Sequence, residues 1–501
     1  MRADLIRIYR SLHTWTGIIS GMALFIAFYA GALAVFKEPI ARWASPPPPQ
    51  EQYVPLAQAD QLLLQTLKTA PDSGSDFVIH IADAENIPAR MSWQRQAKGA
   101  EDHDQSNNQY YLSYLEGDGQ AVVRNSQPSP LADFIDVLHR VVGLPVDSDL
   151  NRWIMGVVAT LYGLALVSGL IIFLPTLAKE FLSLRVEKSP RRLWRDAHNV
   201  VGIISLPFHL VMALTAIIFA FHDGIYDLQR SLFQSSPGGP PQRIEQTLTP
   251  RDPAKMLPPL ALIKQTQAIA PGFAPYAIQY QNVTSEKALV RIWGKDATAV
   301  SPRARGGFLA LDPYSGRTLN SDYLPGKQGT AALVISSFFA LHMAAFGGSL
   351  VQWLYFLLGM AGAWLFYNGN LLWVENRRHQ AARNQQGLPI QRRDARLLAA
   401  ATVGVCLGCI CGISLTIAAA KWLPQSGSLL LWHQWLYYTL FFASIGWAFL
   451  YGAARAAIHL LWLASALTLA IPATTLLAAL WPQLGLWAYG AAATLGWISP
   501  P

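Results

Sequence analysis

Seven stretches of this chain, each of about twenty residues, contain no Asp, Glu, Lys or Arg. They are Trp15–Phe36, Trp153–Leu174, Val200–Phe221, Leu350–Trp373, Leu397–Ala420, Leu431–Tyr451 and Ala456–Leu477. The apolar core of a bilayer is about 30 Å thick and takes about 20 helical residues to cross. Inside it every backbone polar group must be satisfied within the segment, which a helix achieves. Each stretch therefore reads as a membrane-spanning helix. A shorter run near Leu484–Ile498 makes the expectation eight helices, with seven as the fallback. Charged residues are only 14% of the chain, against about 25% in soluble domains.

The net charge of +8 does not indicate nucleic acid, because no basic stretch interleaved with aromatics lies outside the connections between apolar runs. Lys and Arg concentrate in two short connections. One holds Lys179, Arg185, Lys188, Arg191, Arg192 and Arg195; the other holds Arg377, Arg378, Arg383, Arg392, Arg393 and Arg396. Short loops rich in Lys and Arg stay in the cytoplasm, so both are assigned there, with the N-terminus. Arg2, Arg7, Arg10 and Ala32-Leu33-Ala34 mimic a secretory signal, but the run between them exceeds the about 7–15 residues of a signal core. It is read as a retained first span. Cys406, Cys409 and Cys411 lie inside an apolar run with no His nearby to complete a metal site, and are read as packing residues.

Two long polar segments fall on the opposite side. Each runs from a Pro-rich entry (Pro46–Pro49; residues 236–241) through a helical pattern (Leu56–Leu67; Ala261–Ile269) into alternating strand patterns. The strands expected are at 77–81 and Tyr110–Leu115, then Tyr276–Tyr280, Leu289–Trp293 and Phe308–Leu311. Turn signals close them at Glu116–Gly119 and Asp312–Gly316. This is the grammar of two small α+β domains related as a repeat.

The membrane part repeats as well. Arg10-x-x-His13-x-x-x-Gly17-Ile18-Ile19-Ser20 is echoed by Arg195-x-x-His198-x-x-x-Gly202-Ile203-Ile204-Ser205, and Leu138-His139 by Leu341-His342. Two helix–domain–helix units side by side give a four-helix bundle. The remaining helices carry few polar residues and look like an accessory.

An ionisable residue in or beside a span is a functional candidate. Imidazoles facing inward from two helices can ligate haem iron on both faces, and the second ring N–H then needs an acceptor. His13 and His198, at cytoplasmic helix starts, are candidates to clamp one haem b. His139 and His342, at the outer ends, are candidates for a second. His209 follows His198 by 11 residues, which puts it about 20° from the same face and about 16 Å deeper, the spacing expected of two haem ligands on one helix. It either replaces an outer ligand or lines the electron path. His222 and Met343 are weaker candidates, and His80, His103, His379, His433 and His459 are read as surface or packing residues. Arg140 and Arg152, on the outer side where topology gives no reason for them, are candidates to bind propionates. Arg10 and Arg195 are explained equally well by topology.

His-bearing first and third helices, His at the entrances to the second and fourth, and paired outer domains resemble the PepSY-associated transmembrane family, which includes iron-regulated inner-membrane proteins and ferric-siderophore reductases. The resemblance covers about residues 1–378 and is strongest at Arg10–Gly17, Arg195–Leu214 and Phe338–Gly348. It implies di-haem electron transfer across the bacterial inner membrane and reduction of ferric iron in periplasmic siderophores. His13, His139, His198 and His342 carry over as haem ligands, with His209 as a fifth candidate.

The chain is thus expected to be a mainly α membrane protein with a four-helix haem-binding bundle and about four accessory transmembrane helices. The expected boundaries are 1–36 for the first span, 37–151 and 222–348 for two periplasmic PepSY-like domains, and 152–221 for the second and third spans. Residues 349–374 form the fourth span, 375–396 a basic loop and 397–501 the accessory spans. The expected function is an oxidoreductase with two haems b. Its partners are membrane lipid, a ferric siderophore or other ferric chelate, and a quinol or cytoplasmic reductase as electron donor, since no dinucleotide fingerprint is present. The rival readings are an iron-chelate permease and a non-enzymatic binding or regulatory protein.

Overall fold

The computed structural model describes residues 3–47, 53–81, 89–95, 108–126, 128–176, 190–233, 250–299, 306–384, 391–424 and 429–489. Helix α1 (Ala3–Ala34) leads through α2 (Lys37–Ala44) to α3 (Ala59–Thr69) and strands β1 (Asp76–His80), β2 (Met91–Arg95), β3 (Gln109–Leu115) and β4 (Ala121–Ser126). Then come α4 (Leu131–Arg140), α5 (Asp149–Phe173), α6 (Pro190–Ile204) and α7 (Leu206–Phe233). The second polar segment holds α8 (Pro259–Ile269), β5 (Ala274–Gln281), β6 (Leu289–Lys295), β7 (Gly307–Leu311), β8 (Thr318–Asn320) and α9 (Thr330–His342). Helices α10 (Gly348–Asn384), α11 (Arg393–Ala419), α12 (Leu429–Tyr451) and α13 (Ala453–Leu480) complete the described chain.

These elements form two compact units. One is helical, drawn from residues within 1–46, 129–227 and 352–489; the other carries the strands, from residues within 47–128 and 228–351.

In the strand-bearing unit the two polar segments, expected as separate domains, share one eight-stranded antiparallel sheet of order β4-β3-β2-β1-β5-β6-β7-β8. The join is β1 against β5, with Val78 opposite Gln279 and His80 opposite Ala277. Alternation puts Phe77 and Ile79 on one face, where they meet Leu62 and Leu63 of α3, Leu262 of α8 and Ile278, Tyr280, Val290 and Ile292 across the sheet. The repeat is therefore real, but its halves share a core. Arg90, fully buried, ties the first half together by donating to the carbonyls of Val54, His80 and Ile81 at 2.8, 2.7 and 2.9 Å. Both expected turns form: Gly119 and Gly316 adopt φ of 78° and 72°, which glycine tolerates without strain.

In the helical unit, residues of α1 (Leu24), α5 (Tyr162), α7 (Ala213) and α10 (Phe366) meet in one cluster, so the four repeat-related helices do pack together. Six helical segments among the described residues are long and apolar enough to cross a membrane: Asp4–Ala34, Asp149–Thr176, Leu206–Gly224, Gly348–Arg378, Arg393–Ala419 and Ala453–Leu480. The expected span at Leu431–Tyr451 is the 23-residue helix α12, whose Trp, Tyr, His and Gln residues lower its hydropathy. Of the eighth expected span, Leu484 closes a short turn and the residues after Tyr489 lie outside the described ones.

Two expectations need correction. The third span is not one unbroken helix: α6 and α7 are separated at Ser205. Pro207 has no N–H for the Ile203 carbonyl and its ring crowds that turn. Helical bonds still bridge the break, from Ser205 N to the Val201 carbonyl and from His209 N to the Ser205 carbonyl, both at 3.0 Å. Nor are the C-terminal helices a detached accessory. Cys406, Cys409 and Ile413 of α11 and Tyr437 and Phe441 of α12 pack into one core with Phe25, Ile26 and Ala30 of α1, Phe134 and Leu138 of α4 and Ala363 of α10.

Candidate functional site

Two histidines of the helical unit, His13 and His139, are seated in a common way. His13 on α1 donates from Nδ1 to the Ala165 carbonyl of α5 at 2.8 Å. His139 on α4 donates from Nδ1 to the Ala27 carbonyl of α1, also at 2.8 Å. A carbonyl only accepts, so each ring carries a proton on Nδ1, and in its neutral form the lone pair is on Nε2. That is the tautomer a metal-binding imidazole adopts, with the distal nitrogen oriented by an acceptor.

Each ring also faces a glycine on a neighbouring helix. A Cβ at Gly169 would come within 2.9 Å of the His13 ring, and one at Gly31 within 2.6 Å of His139 Nδ1. For His209 the glycine is Gly362, at 3.0 Å, and for His198 it is Gly369, at 3.5 Å. Gly17 and Gly202, one turn after His13 and His198, are different: a Cβ on either would meet nothing within 4 Å. The repeated His-x-x-x-Gly spacing thus puts a ring and an open space on the same helical face.

His198 lies near enough to His13 and His209 for their charges to bear on it. Its Nδ1 is buried without a hydrogen-bond partner among the described residues. His209 is 2% exposed. The Tyr162 hydroxyl lies 2.5 Å from its Nδ1 and 3.2 Å from its carbonyl oxygen. With the hydroxyl proton on that carbonyl, Nδ1–H donates to Tyr162. Nε2 then holds a lone pair, buried and without a hydrogen-bond partner among the described residues. Phe28, Phe208 and Phe366 surround this pair, with Phe28 5.6 Å from the His209 ring.

His342 ends α9 and belongs to the strand-bearing unit. Its helix closes like α4: Gly143 N donates to the Leu138 carbonyl and Ala345 N to the Ala340 carbonyl, after Val142 and Ala344 at φ of 51° and 52°. Matched by these caps, His342 corresponds to Arg140 and not to His139. One helical residue is about 100° of rotation, so the Leu-His echo does not make the rings equivalent.

The two candidate propionate arginines have carboxylate partners. Arg152 makes a fork to Asp147 at 2.8 and 3.0 Å, and Arg140 bonds the same Asp147 and lies 3.3 Å from Asp136. Lys37 extends the chain of charges to Asp133 and Asp136 at 2.8 and 2.9 Å. Burial pushes the Asp147 carboxyl up, but the bonds and charges of Arg152 and Arg140 outweigh it and hold it below its ordinary value. His222 is held locally, with Nδ1 2.7 Å from the Phe219 carbonyl. Met343 caps α9 and is exposed. The three cysteines are buried in helix packing. His103 and the His379 side chain lie outside the described residues. Sequence reading missed Tyr162 and Asn368, although a Tyr and an Asn inside otherwise apolar runs are visible signals.

Residues 10–376 match the family described as the PepSY-associated TM region. The chain belongs to this family. The match starts at Arg10 of the first His motif and ends within α10. It covers the four repeated helices and both polar segments, and leaves α11–α13 outside. Family membership and the six candidate spans make this a multi-pass membrane protein. No curated protein matches the chain.

Proposed function

We propose that this member of the PepSY-associated TM region family is a di-haem b oxidoreductase of the bacterial inner membrane, with its N-terminus in the cytoplasm. It would pass electrons outward to periplasmic ferric iron, in a siderophore or similar chelate. The observation that carries this reading is the seating of His13 and His139: each Nδ1 donates to a main-chain carbonyl of a neighbouring helix, as the second ring nitrogen of a metal-binding imidazole does.

The residues fit such a group at two levels. His13 with His198 forms the inner pair, beside the open spaces at Gly17 and Gly202. At the outer level His139 is one ligand and His209, with its buried Nε2, is the other. His13 and Gly31, whose notch holds His139, are 18 positions apart on α1 (31 − 13), about 27 Å along the helix. That is close to the depth of the apolar core. When bound, haem supplies reversible one-electron chemistry. The chain's own residues hold the rings oriented, and the aromatic cluster around Phe28 keeps water from the space between the levels. Reduction of ferric to ferrous iron weakens its hold by hard oxygen ligands, which releases it from a chelate. Electrons would come from a quinol or a cytoplasmic reductase.

The test is the reduced-minus-oxidised spectrum of the purified protein with haem counted per chain. Two haems of b type, lowered by His13→Ala and by His139→Ala, are expected. A folded sample from haem-replete cells that contains none would overturn the reading in favour of an iron-chelate permease or a binding protein.

A further inference from the structure

Among His13, His139, His198 and His209, three have an oriented Nδ1: His13 on Ala165, His139 on Ala27 and His209 on Tyr162. His198 is the exception. Its Nδ1 is buried without a hydrogen-bond partner among the described residues, and so are both amide atoms of Asn368 on α10, which is 1% exposed. The two groups are neighbours. A Cβ on Gly369, the next residue after Asn368, would lie 3.5 Å from His198 Cε1, so α10 runs against the imidazole here. The Asn368 side chain is also near enough to act on His198. Two buried polar groups side by side, each lacking what the other offers, are complementary: imidazole Nδ1–H is a donor and the amide oxygen an acceptor.

We propose that Asn368 is the positioning residue of His198, its amide oxygen accepting the Nδ1–H so that Nε2 faces the inner haem iron. This rests on the di-haem reading. Rotation of the Asn368 amide about its own torsion is enough to align the bond, because that torsion is broad. The bond would give His198 the same tautomer that main-chain carbonyls give His13 and His139. It differs in being made by a side chain, so the acceptor can be changed by substitution while the helix backbone stays in place. A stronger acceptor at Nδ1 makes the ligating nitrogen more basic and favours ferric over ferrous iron.

The neighbouring Asn370 is the control. It is equally buried, but it is already paired with Thr402 of α11 at 3.2 Å and packs on Gly21.

The experiment is a redox titration of full-length protein, with haem counted per chain, for wild type, Asn368→Asp, Asn368→Leu and Asn370→Ala. The expected result is two haems in wild type and a shift in only one of the two midpoint potentials. That potential moves down in Asn368→Asp and up in Asn368→Leu, and stays in place in Asn370→Ala. Pulsed EPR of the oxidised protein should show the matching change in the remote-nitrogen coupling of one axial imidazole. If Asn368→Leu does not fold, Asn368→Ser makes the same comparison with a smaller side chain. Two haems with both potentials and the nitrogen coupling unchanged in the Asn368 variants would overturn this assignment and leave the di-haem reading standing. A haem-free wild type would overturn both.

Discussion

The His139 ring lies in a notch on α1 left by Gly31, where a single added carbon would approach Nδ1 to 2.6 Å. The notch is what lets Nδ1 reach the Ala27 carbonyl one turn away. Small residues at helix contacts in membranes serve such close approaches. Burial pushes His139 below its ordinary pKa, with Asp136 and the Ala27 bond opposing it, so the ring sits neutral.

Gly31→Ala should therefore act on His139 without touching it chemically. The added methyl cannot coexist with the ring as placed, so the ring turns and the Ala27 bond is lost. We expect haem to fall from two per chain towards one, with the inner haem retained. Gly169→Ala, which crowds His13 at 2.9 Å, should remove the other. Absorption spectra with haem counting check both, and two haems in Gly31→Ala would show that the notch does not hold a ligand.

The Tyr162–His209 pair is testable by stability. Tyr162→Phe leaves the shape of the ring and takes away the only hydroxyl on His209 Nδ1 among the described residues. Leaving a buried donor unpaired costs about 1–3 kcal/mol, and thermal unfolding in detergent should show that loss. An unchanged melt would mean that Tyr162 does not hold the ring.

The sequence made the spans, the His-x-x-x-Gly echo and most strands legible because each leaves a local pattern. Strands β2, β4 and β8 were missed: Met91–Arg95 and Ala121–Ser126 mix charged and apolar residues at sheet positions whose burial is set by distant neighbours, and Thr318–Asn320 is only three residues long. The fusion of two polar segments into one sheet was hidden for the same reason, since β1 and β5 pair across about 200 residues. Ala165 and Ala27 orient their histidines through main-chain oxygens, so no side-chain identity marks them. The Ser205 break was announced by Pro207 but masked by the apolar run around it. Asp147, which engages both Arg140 and Arg152, was in plain view between the two in the sequence.

In the strand-bearing unit, His80 sits between strands with Nε2 2.8 Å from the Ser92 hydroxyl. Burial, with the Arg90 charge adding to it, pushes its pKa down to about 4. In the unfolded chain His80 titrates near 6.5. The folded form therefore resists protonation, and stability is full above about 6.5 and falls as pH drops from there to about 4, by about 1–3 kcal/mol. His80→Gln should flatten this dependence. Hydrogen exchange of β1 and β2 in the full-length protein at pH 7 and pH 5 measures it, and equal acid sensitivity in the variant would show that another group is responsible.

Removing α11–α13 by ending the chain at Arg392 tests whether the helices outside the family match are dispensable. In a bilayer helices hold together by close packing and interhelical hydrogen bonds, since lipid is as apolar as a core. The truncation would strip Phe25, Ile26 and Ala30 of their packing partners on one side. It would also leave buried Asn370 without Thr402, and Trp43 without the Thr475 hydroxyl that accepts from it at 2.9 Å. An amide left unpaired in an apolar medium costs about 2–7 kcal/mol. We expect the truncated chain to lose haem and to elute as aggregate in size-exclusion chromatography. Full haem content in a monodisperse truncated protein would show that the four repeated helices stand alone and that the shared core is not needed to hold the histidines.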